Sequence, residues 1–333
     1  RMSEMNRQWR LARRPSGEVT PDCFEWVECA LEPLADGQVR VRNRWLSLDP
    51  YMRGRMDDAR SYAQPQALGV VMQGGTAGEV IESRHPNFKA GDEVVGHLGW
   101  QAFGSAPARE LRRIDTRRVP MQAWLGAVGM PGVTAWYGIH DILSPQAGQT
   151  LVVSAASGAV GSVVGQLARD QGARVIGIAG GAEKCRIVVE EFGFHACVDY
   201  KAGRLGEDLD RALEGARIDR LFENVGGACL DASLARMNAF GRVALCGLIS
   251  GYNGEAIALK HVRSILVNRL MVQGFIVSDH MERWPAALAD LAERAASGAL
   301  RWRETVSEGL QSAPEAFIGL LKGRNLGKQL VSL

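Results

Sequence analysis

The sequence lacks the features that would place the chain in a membrane, on nucleic acid or in an oxidising compartment. It contains no apolar run long enough to span a bilayer, and its start shows no signal-peptide pattern. The 39 basic and 37 acidic residues leave a net charge of +2, which gives no reason to expect nucleic acid or an acidic membrane as a partner. The six cysteines form no CxxC pair, so we interpret them as reduced cysteines of a cytoplasmic protein.

Clustered metal ligands are missing as well. A bound zinc ion needs about four ligands in tetrahedral geometry. The six histidines and six cysteines are instead dispersed along the chain, with histidines at positions 85, 97, 140, 195, 261 and 280. The sequence therefore predicts no metal site.

The chain does contain two regions of different texture, and its 333 residues are enough for two domains. Residues up to about 130 carry short alternating segments broken by glycine and proline, such as 38–42, 78–81 and 92–95. This pattern is typical of a compact, mostly antiparallel β domain. From residue 131 onward strands alternate with helices, which predicts a parallel sheet. The last stretch leads into a strand that we expect to return to the first domain.

A strand, a turn of small residues and a helix follow one another from residue 150. The apolar run at 151–153 indicates a buried strand, and Ala156-x-Gly158-x-x-Gly161 leads into apolar residues at helical spacing. A second strand follows at 174–178. Such a turn lets a pyrophosphate approach the backbone at the positive end of the helix dipole. It predicts a dinucleotide site, and the alternative is tight packing of helix on strand without a ligand.

The end of the second strand indicates which dinucleotide to expect. A cofactor with a free ribose 2′-hydroxyl usually meets an acid there. In this chain Ile178 is followed by Ala-Gly-Gly-Ala, and the first acid, Glu183, lies beyond the strand. Lys184 comes next, and a lysine in this loop suits a 2′-phosphate. We therefore expect NADP(H); the alternative is a solvated lysine on a helix surface.

Four further strands are predicted at 197–200, 218–224, 241–247 and 270–277. Ligands in parallel sheets bind beyond the carboxyl ends of the strands. This rule draws attention to Asn224 and to residues 246–250 and 275–277. The alternative is that these strand ends are ordinary turns.

Five motifs stand in a fixed order along the chain: Ser47–Arg55, Gly129–Ala135, Ser154–Ser162, Glu183–Arg186 and Phe222–Gly227. In this order they resemble the zinc-independent medium-chain dehydrogenase/reductases, and in particular the NADP-dependent alkenal/one oxidoreductase branch. The stretch DPYMRGRM at 49–56 is the most distinctive of that branch. Zinc-dependent relatives carry Gly-His-Glu where this chain has Met-Gln-Gly-Gly at 72–75.

The resemblance covers essentially the whole chain and implies its organisation. The implied fold class is α/β, with a GroES-like, mostly antiparallel catalytic domain over 1–130 and a Rossmann doubly wound parallel sheet that binds NADP over 131–300. Residues 301–333 would return to the catalytic domain. The resemblance also implies a homodimer, commonly joined through the cofactor domains.

The cofactor contacts that the resemblance implies are carried over residue by residue. The pyrophosphate would contact the glycine turn, which is Gly158, Ala159, Val160 and Gly161. The 2′-phosphate would contact two residues near the second strand, Lys184 and Tyr200. The phosphates and the nicotinamide would contact the remaining positions, which are Met130, Thr134, Asn224, Cys246, Gly247, Leu248, Ile249, Ser250, Tyr252, Phe275, Ile276, Val277 and Asn325.

The chemistry that fits such a site is reduction of an activated C=C bond. A site built without zinc lacks a strong Lewis acid for alcohol oxidation. Hydride addition to the β-carbon of an α,β-unsaturated carbonyl leaves an enolate, which needs hydrogen bonds at oxygen and a proton at the α-carbon. We take Tyr51 and Tyr252 as the candidate catalytic hydrogen-bond donors. The alternative for each is a tyrosine with its hydroxyl satisfied in the core or at an interface.

Two other functions stay open at this point, because a fold does not fix a function. One is an NADPH:quinone reductase, and the other is a non-catalytic NADPH-binding protein. The substrate itself is a small molecule whose identity the sequence does not specify.

Overall fold

The computed structural model describes residues 4–333 and divides the chain into two compact units. The first unit runs to Gly126 and includes Glu304–Asn325 and Gln329–Leu333. The second unit comprises Ala127–Arg303 and Leu326–Lys328. Each unit has its own sheet and its own apolar core.

Strands and helices are numbered in chain order over the described residues. The strands β1 to β15 are Met5–Leu11, Phe24–Ala30, Gln38–Ser47, Thr76–Ser83, Glu93–Gly96, Phe103–Pro107, Arg112–Arg113, Thr150–Ser154, Arg174–Ala179, Ala196–Asp199, Ile218–Glu223, Met237–Leu245, Met271–Gly274, Glu304–Glu308 and Lys328–Ser332. The helices α1 to α9 are Tyr51–Arg55, Met130–Tyr137, Gly161–Asp170, Ala182–Glu190, Leu205–Leu213, Gly227–Leu234, Arg263–Val267, Trp284–Ser297 and Ala313–Leu321. Short 3-10 segments and a π-helical turn, Gly138–Leu143, lie between them.

The first unit is built on a seven-stranded sheet with the order β14-β15-β3-β4-β5-β7, in which β6 also pairs with β3. Its pairings are antiparallel, and β15 lies beside β3 with Leu330 opposite Ser47. Strands β1 and β2 form a separate antiparallel pair. The core is aromatic: the rings of Phe24 and Trp100 stack at 5.2 Å, and Phe317 of α9 meets Trp100 edge-on at 5.7 Å.

The second unit is built on a six-stranded parallel sheet with the order β10-β9-β8-β11-β12-β13. Every residue of β8 is buried, as its run of apolar and β-branched residues predicts. The chain moves outward from β8 through β9 to β10 and then resumes on the other side at β11. Between β8 and β11 the strand order therefore reverses, which is where ligands bind in sheets of this kind. The predicted α/β fold class, a parallel sheet with a mostly antiparallel β domain, is confirmed.

Helix α3 begins directly after the turn that follows β8, and its apolar residues recur on one face. Val163, Val164 and Leu167 of that face are all buried, which stabilises the helix against the sheet. The chain leaves the helix at Gly172, whose φ of 85° is the left-handed conformation that glycine adopts without steric cost.

The sixth predicted strand is shorter than its sequence pattern indicates. The pattern covers 270–277, but β13 ends at Gly274, opposite Leu245 at the end of β12. The N–H of Phe275 still donates to the carbonyl of Leu245 at 3.3 Å, but β12 ends there and Val277 begins a 3-10 turn. The strand predicted at 197–200 likewise ends one residue early, because Tyr200 begins a 3-10 turn.

Over residues 4–333, no helix combines the length and the apolar character needed to cross a bilayer.

Candidate functional site

The turn after β8 packs so closely that position 161 requires glycine, because a Cβ there would overlap the backbone carbonyl of Ala155. The N–H of Gly158 donates to that same carbonyl at 3.0 Å. Ala159 and Val160, between the glycines, are half-buried, and no side chain caps the start of α3. The turn therefore lies at the positive end of the α3 dipole, which favours an anion.

The same turn pairs with a segment from the far end of the chain. Gly158 and Gly327 form an isolated parallel bridge, and the N–H of Gly327 donates to the carbonyl of Ser157 at 3.1 Å. Gly327 has a φ of 74°, and a Cβ there would overlap the backbone carbonyl of Arg303. Asn325, a predicted cofactor contact, lies two residues before this bridge and is half-buried in the first unit.

A group of hydrogen-bond donors surrounds Gly180, just past β9. A Cβ built on Gly180 would lie 2.9 Å from the Tyr200 hydroxyl and 3.0 Å from Cε of Lys201. Lys184 is on α4, and burial together with the nearby Lys201 ammonium lowers the pKa of its side chain. Burial raises the pKa of Tyr200, which keeps its hydroxyl protonated and able to donate. Two ammonium groups and a phenol suit a phosphate dianion.

Asp199 orders the two loops that carry this donor group. One of its carboxylate oxygens accepts the N–H of Gly181 at 2.8 Å and the N–H of Lys201 at 2.9 Å. Lys184 lies three residues after Gly181, and Tyr200 directly precedes Lys201. Asp199 therefore ties together the two segments that carry the residues which the resemblance assigns to the 2′-phosphate. Lys201 was not predicted; its only sequence signal is that it follows Tyr200 at the end of the strand next to β9.

The ends of β8 and β11 are joined by buried polar groups. The hydroxyl of Ser154 donates to a carboxylate oxygen of Glu223 at 2.5 Å and accepts the N–H of Asn224 at 2.9 Å. The same Glu223 oxygen accepts the N–H groups of Val225 and Gly226. Both Ser154 and Glu223 are fully buried, and this burial raises the pKa of Glu223. These bonds fix Asn224, a predicted cofactor contact, at the reversal of strand order.

The loop after β12 is held against the same turn by backbone hydrogen bonds. The N–H groups of Cys246 and Gly247 donate to the carbonyl of Glu223, and those of Ile249 and Ser250 donate to the next two carbonyls. Burial and the nearby Glu223 carboxylate raise the pKa of the Cys246 thiol to about 12. The predicted set 246–250 therefore lies beside Asn224, so the structure brings these predicted residues together.

Tyr252 folds back over its own loop. Its hydroxyl accepts the N–H of Leu248 at 3.3 Å, and a Cβ on Gly247 would lie 3.0 Å from that hydroxyl. The side chain is half-buried. A phenol oxygen can both accept and donate a hydrogen bond.

The remaining predicted positions of the second unit lie near α2. Phe275 is buried, and its ring lies 6.0 Å from that of Phe222 and 5.7 Å from that of Tyr137 on α2. Thr134 donates its hydroxyl to the carbonyl of Met130 at 2.8 Å, and both residues are half-buried. Helix α2 also packs against the 3-10 turn that begins at Val277, two residues beyond Phe275, with Ile276 between them.

Tyr51 belongs to the first unit and begins the short helix α1. The guanidinium of Arg55 lies 5.0 Å from the centre of the Tyr51 ring and 5.4 Å from that of Tyr62. Arg55 also donates to the side-chain carbonyl of Gln73 at 2.9 Å. Burial and the nearby Asp49 carboxylate raise the pKa of Tyr51, so the phenol stays protonated. Tyr51 and Tyr252 lie in different units.

The donor set of the described residues does not suit a zinc ion. Between residues 4 and 333, no three side chains of histidine, cysteine, aspartate or glutamate converge as metal ligands. Position 73, in the segment where zinc-dependent relatives carry histidine, holds a glutamine amide that Arg55 already engages. No step is assigned to a metal.

Comparison with known proteins places this geometry in a family. Residues 7–114 match the family described as the N-terminal domain of oxidoreductase, and residues 159–293 match the family described as zinc-binding dehydrogenase. The chain is 41% identical to the NADPH-dependent curcumin reductase of Escherichia coli, over 98% of this chain and 97% of that protein. The chain belongs to the medium-chain dehydrogenase/reductase family.

Two further comparisons, one with a protein sequence and one with a crystal structure, identify the branch and the cofactor of this medium-chain reductase. It is 41% identical to the NADP-dependent 2-alkenal reductase of Nicotiana tabacum, over 90% of this chain and 88% of that protein. The crystal structure of CurA from Vibrio vulnificus in complex with NADPH superposes with a TM-score of 0.93 at 42% identity, covering 98% of each chain. The protein is an NADP-dependent oxidoreductase of the alkenal/one oxidoreductase branch, and the predicted cofactor is confirmed.

Proposed function

We propose that this medium-chain reductase uses NADPH to reduce the C=C bond of α,β-unsaturated aldehydes and ketones. The observation that carries the proposal is near-complete alignment, at 41% identity, with proteins named as a curcumin reductase and a 2-alkenal reductase. A 2-alkenal is an aldehyde whose double bond is activated by the neighbouring carbonyl. The same activated bond defines the substrate class proposed for this chain.

The second unit would hold NADPH through three groups of residues. The turn 158–161 would receive the pyrophosphate, because it lies at the start of α3, where the helix dipole favours an anion. Lys184, Tyr200 and Lys201 would hold the 2′-phosphate, since two ammonium groups and a phenol suit a dianion. Asn224, the loop 246–252 and residues 275–277 would contact the rest of the cofactor, with Met130 and Thr134 near the nicotinamide. Asn325 of the first unit is a further predicted cofactor contact.

NADPH, when bound, supplies the hydride that reaches the β-carbon of the substrate. The chain must then stabilise negative charge on the carbonyl oxygen with hydrogen-bond donors. Tyr51 and Tyr252 are the candidates, because a phenol can donate a hydrogen bond. Burial raises the pKa of Tyr51, and a phenol with a raised pKa is a slow acid, so we assign protonation of the α-carbon to water.

A homodimer joined through the second unit is part of the proposal. Strand β13 is at an edge of the parallel sheet, and all four of its residues are exposed, with Met271 at 52% and Val272 at 42%. Leu266 and Val267 of α7 are also exposed. By contrast β14, at an edge of the other sheet, carries glutamate at both ends. An apolar, uncovered edge strand favours pairing with another strand, whereas charged edges oppose it.

The experiment is consumption of NADPH and of NADH by the purified protein with four acceptors: a 2-alkenal, an aryl enone, a simple quinone and a saturated aldehyde. We expect NADPH oxidation with the first two, and mass spectrometry should identify saturated carbonyl products. Turnover with the quinone alone would replace the proposal by quinone reduction. Tight NADPH binding without turnover of any acceptor would contradict it.

A further inference from the structure

Two cysteine thiols lie in contact at the edge of the cofactor sheet. Cys185 is on α4 and Cys197 is on β10, and the Cys197 thiol donates to the sulfur of Cys185 at 3.0 Å. The sulfurs of a disulfide are about 2.05 Å apart, so a bond here needs an approach of only about 1 Å. Both side chains are half-buried and both thiols are free.

We propose that Cys185 and Cys197 are a redox modification site, at which a hydroperoxide forms a reversible disulfide that weakens the binding of NADPH.

The contact makes Cys185 the nucleophile. The hydrogen bond from Cys197 lowers the pKa of the Cys185 thiol, while the same bond and burial raise the pKa of Cys197. A thiolate, not a thiol, attacks an oxidant. The Cys185 thiolate would attack one peroxide oxygen, breaking the O–O bond to give a sulfenic acid and an alcohol, or water when the oxidant is hydrogen peroxide.

The second step needs no further oxidant. The sulfur of Cys197 attacks the sulfenic sulfur of Cys185, the S–O bond breaks, and the departing hydroxide leaves as water with the proton from the Cys197 thiol. The two thiols are oxidised to one disulfide, and one peroxide is reduced to an alcohol and a water. A dithiol reductant reverses the bond by thiol exchange.

The bond would act on the residues that hold the 2′-phosphate. Lys184 precedes Cys185 in the first turn of α4, and Tyr200 follows Cys197 by three residues. Asp199 already ties the two loops through the N–H groups of Gly181 and Lys201. Drawing α4 toward β10 by about 1 Å is enough to disturb directed hydrogen bonds of 2.7–2.9 Å to a phosphate. This coupling rests on the proposed role of Lys184 and Tyr200, whereas bond formation does not.

The first measurement treats the reduced full-length protein with hydrogen peroxide and maps its cysteines by mass spectrometry. We expect a peptide pair joined through Cys185 and Cys197, lighter by two hydrogens and separated again by dithiothreitol. Cys185→Ser and Cys197→Ser should each abolish it. Cys29→Ser is the control, because Cys29 is also half-buried but lies on β2 of the first unit. Absence of the joined peptide, or oxidation of Cys185 to a sulfinic acid without it, overturns the site.

The second measurement compares cofactor binding before and after oxidation. We expect the Kd for NADPH to rise about tenfold, the loss of roughly one charge-assisted hydrogen bond, and the Kd for NADH to stay the same because it has no 2′-phosphate. Reciprocity requires that bound NADPH oppose formation of the disulfide to the same degree. Cys185→Ser should bind NADPH equally before and after treatment.

The two ways in which the coupling can fail are distinguishable. If the disulfide forms but the Kd for NADPH does not change, while Lys184→Ala does weaken NADPH binding, the coupling is wrong and the phosphate assignment stands. If Lys184→Ala also leaves the Kd unchanged, the proposed phosphate site itself is wrong.

Discussion

The inner and outer strands of the cofactor sheet end in opposite ways. At the ends of β8 and β11, Ser154 and Glu223 are fully buried and hydrogen-bonded to each other and to the following turn. Beyond β12 and along β13 the chain is half-buried or exposed, as at Ser250 and Val272. Buried, hydrogen-bonded groups cost more to disturb than exposed ones, so we expect the inner strand ends to tolerate substitution less than the outer loop.

The largest effect is expected at the inner turn. Gly161→Ala puts a Cβ onto the carbonyl of Ala155, so the turn must move. We expect the free energy of unfolding to fall by about 1–3 kcal/mol and NADPH binding to be lost. Gly274→Ala on β13 is the control, because a Cβ there meets nothing within 4 Å. Denaturant unfolding measures the change in stability, and cofactor fluorescence measures NADPH binding. Equal effects at the two glycines would contradict the distinction between inner and outer strands.

Lys184→Ala should come next. Removing a partly buried cation from the group around Gly180 should raise the Kd for NADPH about 10- to 100-fold, the range for a hydrogen bond between charged groups, and leave NADH binding unchanged. Arg186→Ala removes a cation two residues away that pairs with Glu190 on the surface, and it should affect neither cofactor. Isothermal titration calorimetry measures the Kd of each variant for both cofactors. Equal losses of affinity for NADPH and NADH would argue against a phosphate contact.

A pair of serines sharpens the comparison of inner and outer ends. Ser154→Ala removes one of the three hydrogen bonds to a buried Glu223 oxygen and takes away the acceptor of the Asn224 N–H, so we expect a loss of about 1–3 kcal/mol in the free energy of unfolding. Ser250→Ala removes an exposed hydroxyl that donates to the Val225 carbonyl, and its cost should stay within about 0.5 kcal/mol. Chemical denaturation of both variants measures the two changes in the free energy of unfolding. Similar changes would mean that the buried Ser154–Glu223 pair contributes no more to stability than the surface bond.

The outer edge can be tested through assembly. Val272→Lys places a charge on exposed β13, and we expect it to weaken the proposed dimer at least about tenfold, because edge charges oppose strand pairing. Val306→Lys makes the same change on β14, where Val306 is also exposed, and should not alter assembly. Sedimentation across a concentration series distinguishes them. A wild-type protein that stays monomeric at all concentrations would refute the dimer.

The smallest effects are expected at the two tyrosines. Tyr51→Phe and Tyr252→Phe each remove one hydroxyl while positioning of the reactants is kept, so we expect kcat to fall by less than about tenfold in each case. Steady-state rates with a 2-alkenal at saturating NADPH measure this. Loss of all turnover in either variant, with NADPH still bound, would make that tyrosine indispensable.

The sequence predicted the features that are local in the chain. The buried strand β8, the glycine turn and α3 follow one another without interruption, so periodicity and turn chemistry reveal them directly. Features that depend on neighbours across the sheet were missed. The bond between Ser154 and Glu223 spans 69 residues, and Lys201 joins Lys184 only because β10 lies beside β9.

Strand ends were missed for the same reason. Residues 275–277 have the composition of a strand, but β12 stops at Leu245, and after the bond from the Phe275 N–H to the Leu245 carbonyl the ladder ends. The strand-end rule drew attention to Asn224 and 246–250, which the structure brings together, because the direction of a parallel strand is enough to say which strand ends share an edge of the sheet. The cofactor roles of the individual residues remain predictions, and the variants described above test some of them.

The crowding around Gly180 has a consequence for anyone who wishes to change the coenzyme preference of this enzyme. A change of preference toward NADH usually requires an acidic residue at the end of the second strand, whose carboxylate binds the hydroxyls of the ribose. At Gly180 the first atom of any side chain would already meet the Tyr200 hydroxyl and the Lys201 stem, and both belong to flexible side chains that can move. An acid introduced there would therefore push aside two of the groups proposed to hold the 2′-phosphate. One substitution would weaken the NADPH site at the same time as it adds the ribose contact.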